Sequence, residues 1–263
     1  MCCSHRRMNR VKILLLDIET ISHTVRAWGL HNQFIAINQI KEAGRTICYA
    51  YKWIGEKGVA FDAEWLWEGD DSYKSFLEDI HKALDEADVV ITYNGKSFDI
   101  PTLNKEFVLH GFPPPSPSKH IDLYQVVKRK FRFASKKLDF VCQALGLGSK
   151  TQHKGMELWN GVEDGDPKSQ ATMEKYNKQD VILLEKLYKR LLPWISNHPS
   201  VPLHKGLTDA RRCPSCGGKH VQHRGFSVTR AGKYRRYQCT DCGSWGQERF
   251  LEERSPKEVL VSI

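Results

Sequence analysis

No apolar run in this sequence is long enough to cross a bilayer, since none approaches the roughly 20 residues a spanning helix needs. The basic start, Met1-Cys2-Cys3-Ser4-His5-Arg6-Arg7-Met8, lacks the apolar stretch that follows the charges of a secretory signal. Residues 1–10 are therefore expected to be a short disordered lead, with Met8 as an alternative start. There is no internal repeat and no low-complexity tract, which excludes solenoids and arrays. A disulfide framework is also missing. Of eight cysteines, four sit in two Cys-x-x-Cys pairs, Cys48 and Cys142 stand alone in segments that read as folded, and Cys2 and Cys3 are terminal. That uneven use suits a reducing, cytoplasmic compartment and one metal site.

The 263 residues, 40% hydrophobic and 27% charged, suit one substantial domain with a small appendage. A net charge of +9 favours a polyanionic partner, nucleic acid before an acidic membrane surface.

Periodicity divides the chain. Val11 to Ile18 reads as a strand, and Thr46 to Trp53 and Val59 to Trp67 as a hairpin that extends it into an antiparallel meander. Asp71 to Ala87 reads as a helix, with Phe76, Leu77, Ile80, Ala83 and Leu84 on the 3.6-residue period. A short β-branched strand, Asp88 to Tyr93, follows it, and a helix followed by such a strand implies an α/β layer with that strand inside the sheet. Helices are expected over Phe98 to His110, from His120-Ile121-Asp122-Leu123 into Lys128-Arg129-Lys130, and over Lys137 to Leu147. The longest begins at Asp166-Pro167, an N-cap followed by proline at the first helical position. Its stripe is Val181, Leu184, Leu187, Tyr188 and Leu191, and Pro193 closes it. The expected organisation is a domain over 11–193, a linker over 194–212, a cysteine module over 213–250 and a tail over 251–263.

The chemistry concentrates at Asp17 and Glu19. Residues two apart on a strand share a face, so two carboxylates would stand side by side at the end of an apolar run. A divalent cation explains that placement, and so does an exposed edge strand. Distant segments decide, if they bring further acids to the same place. Asp99 lies just past the short buried strand and Asp180 on the long helix. Tyr176, four residues before Asp180, shares its helix face.

Asp17-Ile18-Glu19-Thr20, then Tyr93-Asn94-Gly95 leading to Phe98-Asp99, then Tyr176-Asn177-Lys178-Gln179-Asp180, resemble in order the three motifs of the DEDD-type 3′–5′ exonucleases, the group that includes DNA polymerase proofreading domains. The Tyr-x-x-x-Asp spacing is that of the tyrosine subgroup. The resemblance implies a ribonuclease-H-like α/β fold with a mixed sheet flanked by helices, and two Mg2+ or Mn2+ ions. It implies that Asp17, Glu19 and Asp180 hold the ion that activates water, that Asp17 bridges to the second ion, and that Asp99 supports that second ion. Tyr176 would orient the water, because a phenol titrating near 10 is a poor base at neutral pH. Asn94 reads as a ligand of the terminal nucleotide or as a turn residue, and Phe98 as a stacking platform or a core aromatic. Asp122 sits at a recurrent acidic position of relatives, yet helix capping accounts for it equally well. His120 and His153 carry no expected role.

Cys213-Pro214-Ser215-Cys216-Gly217 and Cys239-Thr240-Asp241-Cys242-Gly243 are two thiolate knuckles whose four sulfurs suit one structural Zn2+ in a zinc ribbon, with a dithiol redox pair as the alternative. Between them a basic hairpin carries Arg224, Arg230, Lys233, Arg235 and Arg236 among Phe226, Tyr234 and Tyr237, and Trp245 follows. Cations interleaved with aromatics suit phosphate contact and base stacking, with Arg235, Arg236 and Tyr237 as the expected contacts. Protein docking is the alternative for this module. The function expected is a metal-dependent 3′–5′ exonuclease acting on a nucleic-acid end, single-stranded DNA before RNA. A catalytically silent binding protein of the same fold is the alternative. No polymerase domain is evident, so proofreading would require a replication or repair protein on another chain.

Overall fold

The computed structural model describes residues 11–29, 31, 34–204, 211–229, 232–248 and 253–254. The expected lead, most of the expected tail, residues 205–210 of the expected linker and Arg230 lie outside the described residues. The chain divides into two compact units, residues 12–188 and a second from Lys189 onward.

The first unit is built on strand β1 (Ile13–Thr20), which is followed by the short strands β2 (Thr24–Val25) and β3 (Ile40–Glu42). Then come β4 (Thr46–Trp53), β5 (Ala60–Ala63), helix α1 (Ser72–Glu86), β6 (Val89–Thr92), α2 (Asp99–Leu109), β7 (Lys119–Asp122), α3 (Leu123–Lys130), α4 (Leu138–Ala144), α5 (Met156–Glu163) and α6 (Pro167–Leu191). Five strands make a mixed sheet in the order β5-β4-β1-β6-β7. β4 runs antiparallel to β1, and β6 runs parallel to it. β1 is therefore the central strand, and the edge-strand reading of Asp17 and Glu19 does not hold.

The period of two splits β1 between two faces. Leu14, Leu16 and Ile18 pack with Phe76, Leu77 and Ile80 of α1 and with Leu103 and Phe107 of α2. The five apolar residues expected on α1 are the five it buries. The opposite face is covered through Cys48, Ala63, Leu158, Val162, Met173 and Tyr176, which brings in α5 and α6. Helices on both faces of the mixed sheet give the ribonuclease-H-like arrangement.

Three elements differ from the sequence expectation. The third strand is only β5, because Glu64–Leu66 turns as a 3-10 helix and takes Trp65 and Leu66 out of the ladder. The helix expected from His120 is preceded by β7, whose Lys119, His120, Ile121 and Asp122 pair with β6 from Val89 to Thr92. The 150s region holds α5, which was not expected.

In the second unit a 3-10 turn, Leu192–Trp194, crosses the expected start of the linker at residue 194, and helix α7 (Val201–His204) lies within the stretch expected as that linker. The Val201 N–H donates to the Pro214 carbonyl at 2.8 Å, so α7 is tied to the first cysteine knuckle. The hairpin of β8 (Val221–Val228) and β9 (Gly232–Cys239) is joined on the other edge of β9 by β10 (Trp245–Gln247) and β11 (Glu253–Arg254).

Candidate functional site

Asp17 and Glu19 lie opposite Ala50 and Cys48 in the β1–β4 ladder, with an irregularity in register just beyond Glu19. Both project to the face covered by α6. There the carboxylate oxygens of Asp17, Glu19 and Asp180 lie within 4.8 Å of one another. Asp180 is almost fully buried, and its Oδ1 has no hydrogen-bond partner. Burial and mutual repulsion act together on this cluster. The Asp17 carboxyl is pushed well above the usual range by burial, then by Asp180, Glu19 and Asp99. Glu19 is pushed up to about 8 by burial, with Asp180 adding to it. Asp180 raises the pKa of both strand carboxylates, and such crowding of acids suits a cation. Oxygen donors with an unsatisfied buried lone pair fit a hard divalent ion.

Asp99 starts α2 and is buried, but it stands outside this three-carboxylate cluster. Its Oδ1 accepts from the Ile18 N–H at 3.3 Å, which ties the start of α2 to the strand between Asp17 and Glu19. Burial raises its pKa to about 7.

Two residues without an expected role complete the cluster. The Asn177 side chain, fully buried on α6, donates Nδ2–H to Asp17 Oδ2 at 2.7 Å. It lies inside the third motif, one residue after Tyr176, and the i, i+3 spacing to Asp180 is the signal that places it on the same face. The Lys150 ammonium, from the loop after α4, forms an ion pair with Asp180 and donates to the Tyr176 hydroxyl at 3.0 Å. Burial opposes that charge, but Asp180 and Tyr176 outweigh it and raise the Lys150 pKa. Lys150 carries no sequence signal, because a loop has no period that predicts where its side chain points. Tyr176 is buried edge-on against His153 and Trp159. Burial, Glu19 and Asp180 raise its pKa, so it remains a neutral phenol.

The turn after β6 borders the site. Asn94 has φ of +69°, the one positive value among the described non-glycine residues. Asp122 holds this turn as well as capping α3. Its Oδ1 accepts from the N–H groups of Asn94 and Tyr124, each at 2.9 Å, and its Oδ2 from that of Lys96 at 3.2 Å. A Cβ on Gly95 would lie 2.4 Å from Thr92 Oγ1, so only glycine fits there. Phe98 is 43% exposed, which excludes the core-aromatic reading. A cavity of about 630 Å³ opens onto Asp17 and is lined by Tyr93, Asn94, Tyr124, Lys136, Lys137 and Lys150 among others. His120 is neutral at physiological pH, since burial lowers its pKa to about 4, and it bonds Thr92 Oγ1 at 2.9 Å.

In the second unit, Cys213, Cys216, Cys239 and Cys242 bring their sulfurs within 4.8 Å of one another. The cross-knuckle distances are 3.6 Å for Cys213–Cys242 and 3.7 Å for Cys216–Cys239. A tetrahedral ion with bonds of about 2.3 Å separates its sulfurs by about 3.8 Å, so the set fits one. The knuckles are built alike: the N–H of Gly217 donates to the Cys213 carbonyl and that of Gly243 to the Cys239 carbonyl, each at 2.9 Å. Arg235 and Arg236 are exposed on β9 but face opposite sides of the sheet. Arg235 lies opposite Phe226 in the β8 ladder, while the Arg236 guanidinium stands 5.0 Å over the Trp245 ring. The stacking face expected of Tyr237 is covered. That residue is buried with Arg211 over its ring, and its hydroxyl donates to Glu248 Oε1 at 3.0 Å.

A DNA polymerase of Pyrococcus glycovorans is 26% identical over 204 residues, covering 70% of this chain and 25% of the polymerase. The structure of the family B DNA polymerase from the hyperthermophilic archaeon Pyrobaculum calidifontis aligns with a TM-score of 0.50 at 17% identity, over 84% of this chain and 31% of that one. At that identity the likeness speaks for the fold alone. The chain thus spans about a quarter to a third of the length of these polymerases. A family profile of the RNase H superfamily matches residues 40–192, more than half of the chain, taking in Asp99, Tyr176 and Asp180 and beginning after Asp17 and Glu19. The chain belongs to the RNase H superfamily.

Proposed function

We propose that this protein is a metal-dependent 3′–5′ exonuclease that removes nucleoside 5′-monophosphates from a single-stranded end, DNA before RNA. The observation that carries the reading is the cluster of half-buried Asp17 and Glu19 with buried Asp180, one of whose oxygens has no hydrogen-bond partner. The likeness to DNA polymerases, a group whose proofreading domains the three motifs resemble, supports it.

Asp17, Glu19 and Asp180 would hold a Mg2+ or Mn2+ ion, with Asp17 and Asp99 toward a second. Such ions supply a lowered pKa for water and stabilise charge on the attacking and leaving oxygens. The protein's own groups do the rest. Asn177 fixes the Asp17 carboxylate by its 2.7 Å bond, so one oxygen has a set direction. Tyr176, kept neutral by its surroundings, orients the attacking water without taking its proton. Lys150 holds the phenol in place. Asn94 and the exposed ring of Phe98 receive the terminal nucleotide, and Lys136 and Lys137 line the approach to Asp17 with positive charge. The four-cysteine site is proposed to hold a structural Zn2+, because four thiolates close a tetrahedron and leave no position for substrate. The hairpin it supports would bind nucleic acid through Arg236 and Trp245 on one face and Arg235 on the other.

The test is digestion of labelled single-stranded DNA, duplex DNA and RNA with Mg2+ and with Mn2+. Stepwise shortening from the 3′ end supports the proposal, and internal cuts reject it.

A further inference from the structure

Positive charge is concentrated in one stretch of the first unit. Between Asp122 and Asp139 there is no acidic residue, and the ten positions from Lys128 to Lys137 hold six cations: Lys128, Arg129, Lys130, Arg132, Lys136 and Lys137. All six are exposed, and among the described residues none forms an ion pair. Elsewhere in the unit Lys12, Lys52 and Lys178 each find a carboxylate. The end of α3 explains part of the cluster, since a helix C-terminus favours cations and Lys128, Arg129 and Lys130 occupy its last turn. Arg132, Lys136 and Lys137 lie beyond that turn. Six like charges in ten residues repel one another, a cost to the fold that a polyanion would remove.

The segment is held by its rings and its backbone, which leaves the charges free. Phe131 and Phe133 are half-buried, with ring centroids 5.6 Å apart. Phe131 has an extended backbone, with φ of −134° and ψ of 156°, and residues two apart in extended chain share a side, so Arg132 between the rings is turned outward. The Phe131 N–H donates to the Val127 carbonyl at 3.1 Å, the Lys137 N–H to Ser135 Oγ at 3.3 Å, and the Tyr93 hydroxyl to the Lys136 carbonyl. The far end of the segment meets the carboxylate site, because Lys136 and Lys137 line the cavity that opens onto Asp17. From Lys130 to Lys136 the chain reaches at most about 20 Å, the length of a few nucleotides. With the rings packed on each other and the cations outward, the surface suits phosphates and not bases.

We infer that Lys128, Arg129, Lys130 and Arg132 form a phosphate track, which holds the backbone of the substrate strand on the 5′ side of the scissile bond and leads its end past Lys136 and Lys137 to Asp17. The inference rests on the exonuclease reading for the identity of the strand. It is tested on the full chain by fluorescence anisotropy with a 5′-labelled oligothymidylate in EDTA over a salt series, so that binding is read without turnover. Combining Lys128→Gln, Arg129→Gln, Lys130→Gln and Arg132→Gln should reduce the slope of log affinity against log salt by about 2, as for three contacts at about 0.7 each. Affinity should then fall about a hundredfold at about 0.1 M salt and change little at about 1 M. Arg132→Gln alone, outside the helix, should reduce the slope by about 0.7, and exchanging Lys for Arg and Arg for Lys at the four positions should restore the parent slope. With Mn2+, the 4-nitrophenyl ester of thymidine 5′-monophosphate, too short to reach the track, should be cleaved by the combined variant at the parent's rate, while the oligonucleotide is cut more slowly. A combined variant that keeps the parent's slope and binds within twofold of it overturns the inference. So does a parent that sediments with vesicles containing phosphatidylserine but gives no anisotropy change with the oligonucleotide, which would make the segment a membrane contact. If the parent binds the strand with the expected slope but leaves it and the ester intact with Mg2+ and Mn2+, the exonuclease reading fails while the track stands.

Discussion

The two candidate metal sites are built in opposite ways. The carboxylates of Asp17, Glu19 and Asp180 are mounted on a central strand and a long helix, between two apolar layers that bury Leu14, Leu16, Phe76, Leu77, Met173 and many others. Removing an ion from such a place leaves a scaffold that still folds, with like charges held close. The four cysteines are mounted on glycine turns beside strands whose residues are largely exposed, such as Gln222 to Phe226 of β8. There a bound ion would be a large part of what holds the chain together. In the proposed reading the preformed acidic site is free to serve chemistry, whereas the sulfur site serves structure.

The sharpest way to break this contrast is a matched pair of substitutions. Asp17→Ala should reduce nuclease activity by at least about a thousandfold, because it removes a proposed bridging ligand. The variant should still fold, since the lost Asn177 bond is offset by release of the repulsion among the carboxylates. Cys239→Ser should do the reverse: the β8–β9 hairpin loses protection in hydrogen exchange, while the sheet of the first unit keeps it. Collapse of the whole chain in Cys239→Ser, or unfolding in Asp17→Ala, would contradict the distinction.

A smaller effect is expected at Asn177. Asn177→Ala leaves Asp17 without its fixed donor and should cost about 1–3 kcal/mol of stability. It should also lower kcat about tenfold to a hundredfold with little change in KM, as measured by denaturant unfolding and steady-state kinetics. Smaller again is the split between the arginines of β9. Because the strand turns them to opposite faces, Arg235→Ala and Arg236→Ala should not act as one contact. If one strand lies along the Trp245 face, Arg236→Ala should reduce the salt slope of single-strand binding by about 0.7, and Arg235→Ala should leave it unchanged.

The least effect is expected from pH at His120. Its folded pKa of about 4 lies below the ordinary value of 6.5, so the unfolded chain takes up the proton first as pH falls. His120 therefore contributes stability above pH 6.5 that is lost as pH drops toward 4. Replacing it with Asn should flatten the acid side of the stability curve in that window, read by thermal midpoints in a buffer series.

Much of the first unit could be read from residues because its signals are local. The stripe of α1, the β-branched run of β6 and the cap at Asp166, which accepts from the Ser169 N–H at 3.0 Å, all express short-range periods or turns. β7 was hidden because Lys119-His120-Ile121-Asp122 has one apolar residue, and its burial comes from pairing with β6 and not from its own composition. β5 ran short because an aromatic-rich run, Phe61 to Trp67, alternates like a strand while its backbone turns at Glu64. The closeness of Asp17, Glu19 and Asp180 is legible because their motifs fall at element ends in a recognisable order. Lys150 is not legible, since its closeness to Asp180 is a tertiary fact with no sequence spacing behind it. Asp99 reads from its motif as part of the carboxylate set, and in the structure its Oδ1 accepts from the Ile18 backbone.

The proposed activity of the carboxylate cluster is cleavage of nucleic acid from one end. The most direct measurement is a time course with 5′-labelled single-stranded DNA and Mn2+, comparing the parent with Asp17→Ala. The expected result is a ladder shortening one nucleotide at a time from the 3′ end, with nucleoside 5′-monophosphates as product, and no ladder in the variant. Internal fragments appearing in a single step, or an undiminished ladder in Asp17→Ala, would contradict it.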